Sequence, residues 1–163
     1  RLLLVTHLDK GAIDPFELDG VVIEAINGLD VSSGNIDVKL GASDYTAAAH
    51  ENLVRIAVQE LVSNGIEAST DLSYQPVVVQ TRSDDRHATL LIEVSNQGHD
   101  IPEEIVDRIH LPFVTSRFLG RGLGLTLAKH AADACGGELD WHRSEGITTF
   151  TFTMPQNVDL QEQ

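Results

Sequence analysis

Apolar residues recur at a helical spacing in three long segments of the chain. Helices are therefore predicted over residues 14–27, 47–68 and 124–135, and a glycine pair at residues 136–137 is a natural end for the last of them. Residues 103–109 are predicted to form a further, short helix.

Five shorter segments alternate between apolar and polar residues, as strands with one buried face do. Polar turns at residues 83–86 and 143–146 join two pairs of them into predicted hairpins. This mixture of helices and hairpins favours the α+β class, with one mixed or antiparallel sheet. The strands are predicted over residues 35–40, 77–81, 89–94, 138–142 and 147–154.

The composition suits one globular domain with a substantial core. The chain has 163 residues, of which 42% are hydrophobic and only 5% aromatic, so Val, Ile, Leu and Ala must build most of the core. Eleven Lys and Arg residues stand against 25 Asp and Glu residues, for a formal net charge of −14. Affinity for duplex nucleic acid or an anionic membrane comes from a basic surface, so this balance argues against both partners. A nucleotide remains compatible, because a small phosphate site can be positive locally.

Cysteine content and chain ends bear on compartment and domain limits. The single cysteine, Cys135, rules out an internal disulfide and favours a reducing, cytoplasmic location. No apolar run approaches the ~20 residues of a membrane span. The chain begins at Arg1 and runs directly into four apolar residues, so we expect a fragment of a longer protein, which can itself be a membrane-anchored sensor. Residues 1–11 are predicted to be a linker or the end of a preceding helix, residues 12–157 the domain, and residues 158–163 a polar tail.

The longest predicted helix carries the first candidate site. Glu60, Asn64 and Glu67 share one narrow stripe beside the apolar face. A carboxylate and an amide oxygen one turn apart could present hard oxygens to Mg²⁺ or orient a water molecule. Taken alone, such a stripe is more typical of an ordinary solvated helix face.

Two glycine-containing segments are further candidates. In residues 93–102 a strand runs into a polar turn, where Gly98 would let the backbone approach a flat ligand and Asn96 would hydrogen-bond its edge. Taken alone, this segment is better explained as an ordinary Asn/Gly turn. Residues 120–126 open the third helix with alternating glycines, whose amides could bind phosphate oxygens at a helix N-terminus. A flexible loop is an equal alternative there, but the G-x-G-x-G spacing does not fit a dinucleotide-binding loop.

In their order along the chain, these segments resemble the sensor histidine kinase branch of the GHKL ATP-binding superfamily, which also holds gyrase, the MutL repair proteins and anti-sigma factor kinases. The boxes are found in the family's order across roughly residues 14–155. The resemblance implies a two-layer α/β sandwich of the Bergerat type, in which a mixed sheet backs about three helices. Residues 60–68 resemble the N box, residues 96–102 the G1 box, residues 111–116 the F box, and residues 120–125 with the following helix the G2 box.

The resemblance also implies roles for individual residues. Asn64 would ligate a Mg²⁺ ion that bridges the phosphates of ATP, and Glu60 would lie near a metal-bound water. Asn96 holds the position whose usual aspartate accepts a hydrogen bond from the adenine amino group. The expected nucleotide-binding residues are Asn64, Glu67, Asn96, Gly98, Asp100, Ile101, Phe113, Thr115, Ser116, Gly120, Arg121, Gly122, Leu123, Gly124, Leu125 and Thr126.

The F and G2 boxes imply a short lid over the phosphates. Phe113 would anchor the lid, and only six residues (114–119) separate it from Gly120, as in nitrogen-regulation-type kinases. Arg117 or Arg121 would offset charge on the transferred phosphoryl group, so both are candidate catalytic residues together with Glu60 and Asn64.

Three positions depart from the family pattern. Asn96 replaces the usual aspartate, and a neutral acceptor is weaker than a carboxylate by ~1 kcal/mol. Asp100 replaces the second glycine of the G1 box and adds a negative charge beside an anionic ligand. Gly65 replaces the usual alanine, at a cost of up to ~1 kcal/mol in helix stability. These changes leave the affinity for ATP open.

The predicted function is that of the ATP-binding catalytic domain of a two-component sensor histidine kinase. It would transfer the γ-phosphoryl group of Mg-ATP to a histidine on a separate dimerisation domain, and from there to an aspartate of a response regulator. His50 lacks the proline that follows the phosphoacceptor histidine in this family, so the domain is expected to bind nucleotide without phosphorylating itself. The alternatives are a degenerate module that serves as a protein-binding scaffold, and another GHKL enzyme such as an anti-sigma-factor-type serine kinase or a conformational ATPase.

Overall fold

A computed structural model describes residues 13–30, 35–69, 75–98 and 124–158. Within these ranges the helices are α1 (Leu18–Asn27), α2 (Glu51–Ala68) and α3 (Gly124–Ala134). The strands are β1 (Phe16–Glu17), β2 (Ile36–Lys39), β3 (Thr46–Ala47), β4 (Val77–Asp84), β5 (Thr89–Gln97), β6 (Glu138–Ser144) and β7 (Ile147–Pro155).

The described strands form one mixed sheet and one small ribbon. The sheet has five strands in the order β2-β4-β5-β7-β6, in which β2 is parallel to β4 and the other neighbours are antiparallel. Strands β1 and β3 pair separately as an antiparallel ribbon of two residues each. The predicted α+β class, with a mixed sheet and three helices, is confirmed.

One face of the sheet carries the apolar core and meets the helices. Val79 pairs with Val94, which pairs in turn with Phe150, and the neighbouring row pairs Ile92 with Phe152; all five are buried. Helix α2 packs on β5 and β4, while α3 packs on β6 and β7 and against α2. Because strand residues alternate between faces, this register places one apolar layer between sheet and helices.

The opposite face of the sheet carries a row of polar residues. Gln80, Glu93 and Thr151 form one row across it. Arg82 donates to Glu93 through an exposed salt bridge of 2.8 Å between Nε and Oε1. Polar residues that are buried in the domain are therefore expected on the helix-facing side of the sheet.

A buried carboxylate ties α1 to the sheet. Asp19 is 3% exposed, and its Oδ1 accepts a hydrogen bond of 2.6 Å from the hydroxyl of Thr81 on β4. Its Oδ2 accepts from the backbone N–H of Ala42 at 3.3 Å. Buried carboxylates are tolerated when such donors replace water, so this group fixes the start of α1.

Two helices begin later than the hydrophobic pattern predicts, and the ribbon explains both differences. Phe16 and Glu17 pair with Ala47 and Thr46, so α1 begins at Leu18 rather than at residue 14 and α2 at Glu51 rather than near residue 47. Long-range backbone pairing overrides the local helical preference here. The apolar face predicted for α2 is buried.

The two hairpins have longer strands than predicted, which shifts the first turn along the chain and shortens the second. The first turn lies at residues 85–88, because Ser83 and Asp84 still pair with Leu90 and Thr89. In the second hairpin Glu145 and Gly146 have φ values of 52° and 80°. Positive φ at both central residues is the mark of a two-residue type I′ turn.

The predicted glycine cap of α3 is confirmed. Gly136 has a φ of 75°, in the left-handed region that favours glycine, and the N–H of Gly137 donates to the carbonyl of Ala132 at 2.9 Å. Cys135, in the same turn, is a buried free thiol, and burial raises its pKa.

None of the helices in the described part of the chain is long and apolar enough to span a membrane.

Candidate nucleotide-binding site

The C-terminal half of α2 carries the first group of predicted site residues. Asn64 is only 7% exposed, and within the described residues its side-chain Oδ1 has no hydrogen-bond partner. Glu60, one turn earlier, is half-buried, whereas Glu67 is exposed. A buried polar atom without a partner costs about 1–3 kcal/mol. Of Glu60, Asn64 and Glu67, Asn64 is therefore the residue whose side chain would gain most from binding a ligand.

Asn96 lies at the end of β5, on the helix-facing side of the sheet. The sequence pattern predicts that this strand ends at residue 94, but Asn96 and Gln97 still pair with Thr148 and Ile147 of β7, so the strand continues through both. Asn96 is 5% exposed, and its Nδ2 donates to the carbonyl of Gln97 at 3.2 Å. A rigid strand therefore holds this side chain.

Gly65 is the point at which α2 meets this end of the sheet. A Cβ atom at Gly65 would lie 3.2 and 3.3 Å from the methyl groups of Val77 and 3.7 Å from Oδ1 of Asn96. The absence of a side chain thus lets α2 approach closely, which offsets the helix stability that glycine forfeits. Asn64 directly precedes Gly65 in the chain. The structure therefore brings Asn64, from the N box, close to Asn96, from the G1 box.

Gly98 fits tightly between the two elements. A Cβ atom there would lie 2.7 Å from the carbonyl oxygen of Ala68, at the end of α2, and 2.9 Å from Nδ2 of Asn96. Only a glycine lets the backbone leave β5 along this path without displacing one of its neighbours.

The substitution Gly98→Ala is expected to weaken Mg-ATP binding about tenfold or more and to lower the free energy of unfolding by about 1–3 kcal/mol. Calorimetric titration and urea unfolding measure the two effects. Gly41→Ala is a matched control, because its Cβ would also lie 2.7 Å from a backbone oxygen, that of Thr81, away from Asn64 and Asn96. We expect the control to lose stability but to keep its affinity. Equal affinities of both variants would contradict the placement of Gly98.

Helix α3 begins at Gly124, as predicted for the glycine-rich segment. Leu125 and Thr126 in its first turn are buried, and α3 packs on α2. The remaining predicted site residues lie outside the described part of the chain, as does the predicted helix at residues 103–109. These residues are Asp100, Ile101, Phe113, Thr115, Ser116, Arg117, Gly120, Arg121, Gly122 and Leu123.

Two residues beside Asn96 were missed by the sequence reasoning. Thr148 is directly opposite Asn96 on β7 and is 5% exposed, and Arg143 is directly opposite Thr148 on β6. Nη1 of Arg143 donates to Oγ1 of Thr148 at 2.7 Å, and Nη2 donates to the carbonyl of Gly98 at 2.6 Å. The sequence did contain a signal for Thr148. It is a polar residue two positions from apolar Phe150, on the strand face that the alternation predicts to be buried.

A cavity of about 260 Å³ opens on the other side of this sheet end. Its lining includes Val78, Ser95 and Ile147, which alternate with the helix-facing residues and point away from α2. Asn96 also lines this cavity, whereas Asn64 and Thr148 do not.

Comparison with known proteins places this arrangement in a family. The family model described as histidine kinase-, DNA gyrase B-, and HSP90-like ATPase matches residues 49–158, which include Asn64, Asn96, Arg143 and Thr148. The sensor histidine kinase ZraS of Escherichia coli is 27% identical over 163 residues, which cover 99% of this chain and 34% of ZraS. The chain spans about a third or less of the length of the curated sensor kinases that it matches.

Solved structures agree on the fold. The catalytic domain of histidine kinase ThkA superimposes with a TM-score of 0.74 at 23% identity, covering 88% of this chain and 95% of that domain. Full-length ShkA in complex with AMPPNP superimposes with a TM-score of 0.80 at 17% identity, covering 97% of this chain and 35% of ShkA. The resemblance to the histidine kinase branch is confirmed. The chain belongs to the histidine kinase-, DNA gyrase B- and HSP90-like ATPase family, and its described part has the fold of a histidine kinase catalytic domain.

Proposed function

We propose that the chain is the ATP-binding catalytic domain of a two-component sensor histidine kinase. It transfers the γ-phosphoryl group of Mg-ATP to a histidine on the dimerisation domain of the same kinase. The group then passes to an aspartate of a response regulator receiver domain. The observation that supports this most directly is the buried Oδ1 of Asn64, which has no hydrogen-bond partner among the described residues and lies next to the glycine at which α2 meets Asn96.

In this proposal Asn96 binds the adenine ring. Its Nδ2 donates to Gln97, which leaves Oδ1 to accept a hydrogen bond from the adenine amino group. Gly98 lets the backbone pass beside the base. Because a neutral oxygen accepts more weakly than a carboxylate, by ~1 kcal/mol, we expect a lower affinity for ATP than an aspartate would give.

The residues of α2 fit a magnesium ion. Mg²⁺ prefers oxygen ligands and usually takes only one or two from the protein, while phosphates and water complete its coordination. Oδ1 of Asn64, without a partner in the part of the chain that the structure describes, is such an oxygen, and Glu60, one turn earlier, would hold a water bound to the ion. When bound, the ion neutralises charge on the phosphates.

The lid and the glycine-rich segment are proposed to close over the phosphates. Phosphoryl transfer requires positioning and charge neutralisation rather than a protein nucleophile. Arg117 or Arg121 supplies positive charge to the transferred group, and the hydroxyl of Thr126 supplies a further donor. The other proposed contacts of the nucleotide are Glu67, Asp100, Ile101, Phe113, Thr115, Ser116, Gly120, Gly122, Leu123, Gly124 and Leu125.

We propose a cytoplasmic location, as part of a sensor that can itself be anchored in a membrane. The partners are the histidine-bearing domain and the receiver domain, both of which are proteins. The formal net charge of −14 argues against nucleic acid and against direct membrane contact.

Transfer is tested by incubating the chain with ATP labelled at the γ-phosphorus and the separately purified dimerisation domain of the same kinase. We expect label on that domain, labile in acid and stable in alkali as a phosphoramidate is, and none when its acceptor histidine is replaced by glutamine. The chain alone should stay unlabelled. Acid-stable label on a serine would instead support the anti-sigma-factor-type kinase. A chain that binds no nucleotide would support the scaffold.

A further inference from the structure

Arg143 joins three elements at the base-binding end of the sheet. It is half-buried on the edge strand β6, and it donates to Thr148 on β7 and to the carbonyl of Gly98, just past the end of β5. The two bonds, of 2.7 and 2.6 Å, use different nitrogens of one planar guanidinium group. Because the guanidinium group is planar and rigid, its two N–H donors fix the two acceptors relative to each other. The ammonium group of a lysine would not do so.

The first consequence concerns the path of the backbone. The carbonyl of Ala68 and the amide of Asn96 already crowd the position that a Cβ atom of Gly98 would take. The bond from Arg143 fixes its carbonyl as well. Asn96 is only two residues earlier, so Arg143 also limits how the base-binding amide can move.

The second consequence concerns hydrogen-bond polarity. A guanidinium group can only donate, so Oγ1 of Thr148 must accept in this bond, which leaves its own O–H to donate elsewhere. Nδ2 of Asn96 donates to Gln97, so Oδ1 of Asn96 is the acceptor on its side. Because Asn96 and Thr148 are directly opposite each other, the sheet presents one acceptor and one donor side by side.

We propose that Arg143 is a positioning residue that makes this site select adenine over guanine. The inference rests on the proposed function, since it requires that Asn96 and Thr148 face the base. The Watson–Crick edge of adenine carries an amino donor beside a ring-nitrogen acceptor, which complements this pair. Guanine carries an oxygen acceptor beside an N–H donor and would oppose both groups.

The test compares dissociation constants for Mg-ATP and Mg-GTP, measured by calorimetry on the whole chain. In Arg143→Gln we expect ATP binding to weaken about tenfold and GTP binding to change little, so that the ATP preference falls about tenfold. Arg143→Lys, which keeps the charge but not the fork, should recover only part of the preference. Arg82→Gln is the matched control: it removes the same charge from the face of the sheet opposite the helices, where Arg82 contacts Glu93. It should leave the preference unchanged.

Thr148→Val is a second, independent variant. It removes the proposed donor while keeping the shape of the side chain, and it should lower the ATP preference to a similar extent. An unchanged preference in both Arg143→Gln and Thr148→Val, with ATP still bound by the unmodified chain, would overturn the inference and leave the proposed function standing. Failure of the unmodified chain to bind either nucleotide would overturn the proposed function itself.

Discussion

Replacement of Asn64 by alanine is expected to lower phosphoryl transfer at least about 100-fold while leaving the nucleotide-free domain as stable as before. Even residues that only support metal ligands contribute about 10- to 100-fold to metal affinity or activity, and a ligand should contribute no less. Oδ1 of Asn64 has no partner within the described residues, so its removal breaks no hydrogen bond there. Alanine also favours the helix, so stability should stay constant or rise by up to about 1 kcal/mol.

The matched control for this substitution is Asn52→Ala on the same helix. Asn52 is exposed in the first turn of α2, where its Oδ1 accepts a hydrogen bond of 2.9 Å from Arg55. It is far along the helix from Gly65 and should leave both nucleotide binding and transfer unchanged. Transfer rates and urea unfolding curves of the two variants separate a loss of activity from a loss of stability. If Asn64→Ala retained full activity, or lost activity only in proportion to unfolding, Asn64 would not be a metal ligand.

Replacement of Gly137 by alanine is expected to lower the free energy of unfolding by about 3 kcal/mol, the upper part of the range for overpacking. A Cβ atom at Gly137 would lie 1.7 Å from the carbonyl oxygen of Thr153 and 2.6 Å from its carbonyl carbon. Both are backbone atoms of β7, so no side chain can rotate away. The start of β6 would have to move away from β7. Seven residue pairs join these two strands and oppose that movement.

Gly20→Ala is the control for the loss of a glycine. It lies within α1, and a Cβ there would have no heavy atom within 4 Å, so the helix should gain up to about 1 kcal/mol. Urea unfolding of the two variants should therefore move the midpoint in opposite directions. A small change in Gly137→Ala would mean that β6 and β7 are less tightly joined than the structure shows.

The helices and strands could be predicted because their signals are local. Alternation over residues 147–154 and helical spacing over residues 51–68 each depend on the burial of one face, which neighbouring residues record. The N-terminal ends of α1 and α2 could not be predicted in this way. They depend on the pairing of Phe16 with Ala47, a contact between distant residues that no local pattern reports.

For the candidate site, the sequence predicted residue identities but not their burial or contacts. The family resemblance of the ordered segments predicted Asn64, Asn96 and Gly98 as site residues, but not how deeply each is buried. An amphipathic pattern places Asn64 at the border of the buried face, and only the close approach of α2 at Gly65 decides on which side of that border it falls. Arg143 could not be assigned at all, because its role depends on the register that sets β6 against β7.

Calorimetric titration of the unmodified chain with ATP, with and without Mg²⁺, shows whether the chain is a nucleotide-binding domain. We expect saturable binding of one ATP per chain, which weakens when Mg²⁺ is removed and is tighter than the binding of GTP. No binding at millimolar ATP in the presence of Mg²⁺ would contradict the proposed function.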